Sequence, residues 1–183
     1  MLYVQESLGR DETLIHIGEF SIMYTIQALL AVLWGIIGSV LVIFASIFAY
    51  QQLGQFPKNI DIGFLQAIPN LHIGIRIGAF FVFFMGILTF TQMMVHKMTT
   101  EIAVTTKRLL YKRGIIARAV NEMSVDRIEG VNVRQSLIGR LMNYGRLAVR
   151  GMGIGEVVLP PIDSPIKFRQ AIENAKSLQK KEV

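Results

Sequence analysis

Two long runs of apolar residues without a charged side chain dominate the hydrophobic pattern of this chain. The first covers residues 20–57, and within it residues 22–50 are almost continuously apolar. About 20 apolar residues in a helix, rising ~1.5 Å each, cross a hydrocarbon core ~30 Å thick. A soluble helix of this length would need a polar face, and the pattern has none. We therefore predict a membrane-spanning helix over residues 22–50.

The second uncharged run covers residues 77–95 and predicts a second spanning helix. The connection over residues 51–76 contains Gly54, Pro57 and Pro69, which argue against one continuous helix. Its apolar residues are typical of a loop that lies along the membrane interface. Two crossings make a hairpin, so both termini are expected on the same side of the membrane.

The distribution of basic residues predicts which side that is. Of the 19 lysines and arginines, only Lys58 and Arg76 lie between the two runs, whereas sixteen follow His96. Loops rich in lysine and arginine stay in the cytoplasm. We therefore predict that the segment 1–21 and the region 96–183 are cytoplasmic and that the loop 51–76 faces outward.

Beyond residue 96 the pattern changes to one typical of strands. Residues 100–105 alternate loosely, residues 146–150 alternate strictly, and Gly114 separates two strand-like stretches as in a hairpin. A slip of phase at Gly130 predicts a bulge. The region is therefore predicted to be mainly β.

One amphipathic helix is predicted to close the region. Asp163 or Ser164 is a candidate N-cap, and Pro165 suits the first turn. Strands followed by one such helix predict a small barrel or bent sheet with the helix over an open end. The apolar residues on one face of this helix are Phe168, Ile172 and Ala175.

Several short motifs of this region occur together in one known family. They are Thr105, Thr106, Lys107, Arg108 and Leu109; Gly114; Arg127 to Val131; Gln135 to Leu141 with Tyr144 and Gly145; and Asp163, Ser164 and Pro165 with Phe168. With them, residues 101–175 resemble the bacterial pleckstrin-homology-like (PH-like) domain of small membrane proteins. The helical hairpin ahead of the domain resembles the usual arrangement of that family.

The resemblance implies a split barrel of about seven strands with a carboxy-terminal helix, at the cytoplasmic face of the bacterial inner membrane. It implies no enzymatic activity and no cofactor. Related eukaryotic domains bind phosphoinositides through a long basic first loop, but Thr105, Thr106 and Lys107 leave almost no loop at that place.

Four basic residues soon after the second apolar run are candidate contacts to anionic lipid headgroups: Lys107, Arg108, Lys112 and Arg113. A basic side chain held near such a surface contributes about 1 kcal/mol. The alternative is that these residues only fix the topology, because basic residues follow a membrane helix for insertion.

Small residues give candidates for helix packing. Ala31, Gly35 and Ser39 recur every four residues in the first run, while Gly74 and Gly78 lie at the start of the second. Small side chains on one face allow another helix to approach closely. These positions therefore predict helix association and favour a homo-oligomer.

Other classes of function are not favoured by the sequence. The chain has no cysteine, and His16, His72 and His96 are far apart, so no metal site is predicted. The basic charge lacks the aromatic platform or recognition helix of a nucleic-acid-binding protein. No catalytic motif is present, which predicts a protein that is not an enzyme.

These observations predict a non-enzymatic membrane protein whose PH-like domain mediates self-assembly or docks a partner at the membrane. The expected partners are membrane lipids, further copies of the chain or another membrane protein. One alternative is a module that senses anionic lipids through the basic cluster. A second is a subunit of a transport or channel complex, which the lack of charged residues inside both runs disfavours.

Overall fold

The computed structural model describes residues 2–54, 64–114, 119–153 and 155–182. In these residues the chain forms two compact units, a barrel unit (Met1–Thr25 with Val95–Val183) and a hairpin unit (Ile26–Met94). The helices are α1 (Leu2–Glu6), α2 (Ile22–Gln52), α3 (Phe64–Ala67), α4 (Ile73–Thr99), α5 (Leu137–Leu141) and α6 (Pro165–Glu182). The strands are β1 (Leu14–Gly18), β2 (Glu101–Thr105), β3 (Arg108–Arg113), β4 (Ala119–Ser124), β5 (Ile128–Arg134), β6 (Tyr144–Gly151), β7 (Gly155–Val158) and β8 (Ile162–Asp163).

Helices α2 and α4 contain the two apolar runs and are long and apolar enough to cross a membrane, judged by length and composition. The second helix begins earlier than the pattern predicts, at Ile73, so residues 73–76 of the expected loop are helical. The ring nitrogen Nδ1 of His72 accepts a hydrogen bond from the N–H of Gly74 at 3.1 Å and so caps this earlier start. Residues 55–63 of the expected loop lie outside the described residues.

The barrel unit contains two antiparallel sheets. One has the strand order β1-β2-β3-β4, and the other has the order β5-β6-β7 with β8 paired to β6. A bridge between Phe20 and Ile162 joins the two sheets at one corner. Where the sheets face each other, a Cβ at Gly151 would lie 2.7 Å from the sulfur of Met123, so a larger residue there would require the Met123 side chain to move.

The amino-terminal segment is part of the barrel, which corrects the prediction that residues 1–21 form a separate segment. Strand β1 pairs with β2, with Gly18 opposite Ile102 and Ile17 opposite Ala103. A five-residue strand has little signal of its own, and its partner follows only after the entire hairpin. The sequence pattern therefore does not reveal that this segment joins the sheet.

The predicted mainly-β region with a closing helix is confirmed. Strands β3 and β4 lie on either side of Gly114, whose φ is 94°, and pair as the expected hairpin. The register shifts between Ile128 and Gly130, where a bulge is predicted. Helix α6 buries the predicted face completely, with Phe168, Ile172 and Ala175 all at 0% exposure.

The start of α6 differs in detail from the predicted cap. The carbonyl of Ser164 accepts the hydrogen bond from the N–H of Phe168 at 3.1 Å. However, the hydroxyl of Ser164 donates to the carboxylate of Asp163 at 2.9 Å and accepts from the amide of Asn143. The two residues therefore tie the helix start to the strand region around Asn143.

Candidate interaction surfaces

The four predicted headgroup contacts do not form one free basic surface. The guanidinium of Arg108 contacts Glu12 at 2.9 Å and Glu122 at 2.7 Å, and the ammonium of Lys112 contacts Glu101 at 3.1 Å. Lys107 and Arg113 are exposed, but they lie at opposite ends of β3. Arg108 and Lys112 therefore form contacts within the barrel unit, and contact of the four residues with lipid stays a prediction.

The carboxylate of Glu12 is the centre of a buried polar network. It accepts hydrogen bonds from the hydroxyl of Thr105 at 2.6 Å, from the N–H of Gly9 at 3.0 Å and from Arg108. Arg108 also donates to the carbonyl of Ser7. Together these contacts attach the amino-terminal segment to the ends of β2 and β3.

Glu12 is ionised more readily than an ordinary glutamate. Burial raises the pKa of its carboxyl group, but the hydrogen bonds from Thr105, Gly9 and Arg108 outweigh burial, so the pKa is lowered from the usual 4.5. The pKa of Glu101 is also lowered: burial raises it, but the hydrogen bonds from Lys112 and from the N–H of Val4, together with the positive charge of Lys112, outweigh burial. The unfolded chain therefore binds these protons more tightly, and both groups stabilise the fold above the ordinary glutamate pKa.

Replacing Glu12 by glutamine is expected to lower the free energy of unfolding by about 2–4 kcal/mol, because it leaves Arg108 without its buried partner. The stabilisation of the wild type is lost as pH falls through the lowered pKa, and Glu12→Gln should flatten this dependence. Thermal unfolding of the detergent-solubilised chain above and below pH 4.5 measures both effects. Glu122→Gln is the control, since Glu122 binds the same arginine from a more exposed position and should cost about 1 kcal/mol or less.

Inside the hairpin unit, the predicted small-residue face packs on the second helix of the same chain. A Cβ at Gly35 would lie 3.0 Å from the Cα of Gly86, and a Cβ at Gly86 would lie 2.8 Å from the carbonyl oxygen of Ala31. The helices therefore touch backbone to backbone at this point. The pairing partner, Gly86, is not among the predicted positions.

The other predicted helix-packing positions lie away from this contact. Gly74 and Gly78 are exposed, and a Cβ at Gly78 would meet no atom within 4 Å. The hydroxyl of Ser39 donates to the carbonyl of Ile36 in its own helix. The prediction thus found the face of α2 but not the position on α4, because glycine is frequent in both runs and sequence spacing does not reveal which glycines meet.

The barrel unit holds the beginning of α2 and the end of α4 side by side. The ammonium of Lys97 donates to the hydroxyl of Thr25 at 2.7 Å. The ring of Phe20 lies 5.0 Å from the ring of Tyr24 and 5.9 Å from that of His96. The chain therefore leaves the barrel unit and returns to it at one place.

Helix α5 and the residue that follows it expose four apolar side chains, which we call the α5 surface. Ser136 caps this helix, since its hydroxyl accepts a hydrogen bond from the N–H of Gly139 at 3.0 Å. Gly139 lies so close to β6 that a Cβ would be 2.7 Å from the carbonyl oxygen of Tyr144. The helix therefore points its apolar residues outward, and their exposed fractions are 85% for Leu137, 57% for Ile138, 86% for Leu141 and 47% for Met142.

A groove next to α5 contains three exposed arginines. Arg134, Arg140 and Arg169 line this arginine groove together with Ile166. Arg146 lies directly opposite Arg134 on the β5–β6 ladder. Sequence reasoning missed the group, because its members are spread over three elements and no local cluster marks them.

A comparison with protein families decides what the domain is. The model of the bacterial PH domain matches residues 13–176, from just before β1 into α6. The chain belongs to the bacterial PH domain family. The match confirms the resemblance, includes the helical hairpin and adds the amino-terminal strand β1. A comparison with curated proteins and one with solved structures found no match.

Proposed function

We propose that this bacterial PH domain protein is a non-enzymatic docking module of the cytoplasmic membrane. Its hairpin crosses the bilayer twice, and its PH-like domain, with both termini, lies in the cytoplasm. The observation that carries the proposal is the junction at Thr25 and Lys97, where the two apolar helices leave the domain side by side. The hairpin leaves the domain and returns to it at one place. This fits two membrane crossings, because two crossings bring the chain back to the side on which it started.

The charge distribution supports the cytoplasmic side. Lys58 and Arg76 are the basic residues between the runs, against sixteen after His96. Lys97 and the aromatic rings of Phe20 and Tyr24 lie together at the junction, where interfacial anchors are expected. Single cysteines on each side test the proposal, because an impermeant thiol reagent should reach the segment between the helices and not the PH-like domain.

PH-like domains dock on proteins or lipids, and the α5 surface offers an exposed area for such a contact. This exposure supports docking over catalysis, since the arrangement presents an apolar area rather than converging titratable groups.

Self-assembly is a second candidate, and the free edge of β7 supports it. In the described sheet β7 pairs only with β6, and its Val158 is 51% exposed. An open edge can pair with the same edge of another copy. The small-residue face of α2 no longer supports self-assembly, because α4 of the same chain covers it. The particle mass in mild detergent tests this candidate, and a single copy would exclude it.

A further inference from the structure

We propose that the α5 surface and the arginine groove together bind the anionic headgroup layer of the bilayer that holds the hairpin. The apolar side chains of α5 enter the interface, and the arginines contact lipid phosphates. This inference rests on the proposed membrane anchoring and adds a lipid-binding site on the domain.

The exposure of the α5 surface is the first observation. Leu137 and Leu141 are 85% and 86% exposed, and Ile166 on the adjoining turn of α6 is 53% exposed. Leucines that project this far from a five-residue helix bury nothing in the domain itself. Interfacial segments with leucine on one side and arginine on the other lie in the headgroup region of membranes.

The charge around this surface is the second observation. Arg134 and Arg146 stand directly opposite each other on neighbouring strands, an arrangement that is unfavourable without an anion. Within the described part of the chain, neither of them forms an ion pair, and neither do Arg140 and Arg169. The carboxylate of Asp163 accepts a hydrogen bond from the hydroxyl of Ser164 and forms no ion pair with these arginines in the described residues.

Position in the fold is the third observation, and it favours the membrane over a soluble acidic protein. Phe20, two residues before α2, bridges to Ile162, and Ile162 pairs with Gly145 on β6. Two strand spacings of ~4.8 Å therefore separate Phe20 from Gly145 on the strand that follows α5. The N–H of Ser164 also donates to the carbonyl of Asn143 at 2.9 Å, which fixes this end of α5 to the same corner. A site on a domain that is tethered to a membrane anchor meets lipid at a high effective concentration.

A spin label on the full-length chain in vesicles tests the site, since the chain has no cysteine of its own. With Leu141→Cys labelled, vesicles that contain phosphatidylglycerol should protect the label from a water-soluble nickel chelate and expose it to oxygen. In pure phosphatidylcholine the label should remain accessible to nickel. Replacing Arg134, Arg140 and Arg169 by glutamine should abolish this difference between the two lipids. Each replacement is expected to lower the ratio of docked to free domain about fivefold. Met152→Cys, in the turn after the far end of β6, should stay accessible to nickel in both lipids.

Two results would overturn the inference. One is a Leu141 label that remains accessible to nickel in phosphatidylglycerol. The other is equal protection of the label in both lipids. With spin–spin broadening in the spectra, equal protection would indicate contact with a second copy of the chain. Without broadening, it would indicate insertion into lipid that does not depend on anionic headgroups. A label at Leu33→Cys, inside α2, distinguishes failure of the proposed lipid site from failure of the proposed membrane anchoring. Accessibility of Leu33 to nickel would contradict the anchoring itself.

Discussion

Leucine in place of Gly86 is expected to force α2 and α4 apart and to destabilise the hairpin by about 3 kcal/mol or more. At this position even a Cβ would lie 2.8 Å from the carbonyl oxygen of Ala31 and 3.0 Å from the Cα of Gly35. Backbone atoms cannot move aside as the end of a flexible side chain can, so the helices must separate. Their contact by dispersion forces is then lost along the crossing. Unfolding of the purified chain in mixed detergent and SDS measures the change in free energy.

Gly78→Leu is the matched control for this variant. Gly78 lies in the same helix, two turns earlier, and has open space around its Cβ position. The same substitution there should leave the free energy of unfolding within about 0.5 kcal/mol of the wild type. Equal effects of the two variants would show that the helices do not cross at Gly86.

Alanine in place of Phe168 is expected to lower the free energy of unfolding of the PH-like domain by about 3–5 kcal/mol. The ring is completely buried and lies 5.7 Å from the ring of His16 on β1. A Cβ at Gly18 would lie 3.0 Å from the same ring, so the packing between α6 and β1 has no space to spare. Truncation therefore leaves a cavity between the closing helix and the sheet.

Amide hydrogen exchange in β6 measures this loss within the domain itself. It is preferable to tryptophan fluorescence, because the single tryptophan, Trp34, lies in α2 of the hairpin. Leu178→Ala is the control in the same helix, since Leu178 is 46% exposed and its truncation should cost about 1 kcal/mol or less. Similar exchange rates in both variants would contradict the proposed role of Phe168.

The features that the sequence predicts well are those with a strong local signal. The uncharged runs predict the two long helices, because a soluble helix of this length would need a polar face and these runs have none. The face of α6 follows from the spacing of Phe168, Ile172 and Ala175. The cap at Ser136 follows from a residue type that suits the start of a helix.

The features that the sequence does not predict depend on contacts between distant residues. Glu12 and Arg108 are separated by the whole hairpin, so the basic cluster looked free although two of its members are paired. The arginine groove unites residues from β5, α5 and α6, and no stretch of sequence shows it. The outward direction of Leu137 and Leu141 is equally invisible, because apolar residues in a short helix ordinarily predict burial.

The central claim is that both ends of the hairpin lie on one side of the membrane with the PH-like domain. Labelling of two single-cysteine variants in spheroplasts with a membrane-impermeant maleimide tests it most directly. Gln52→Cys is at the end of α2, and Ser177→Cys is on the exposed side of α6. The account predicts that Gln52→Cys reacts in intact spheroplasts and that Ser177→Cys reacts only after the membrane is permeabilised. Labelling of Ser177→Cys from outside, or labelling of both positions alike in intact spheroplasts, would contradict it.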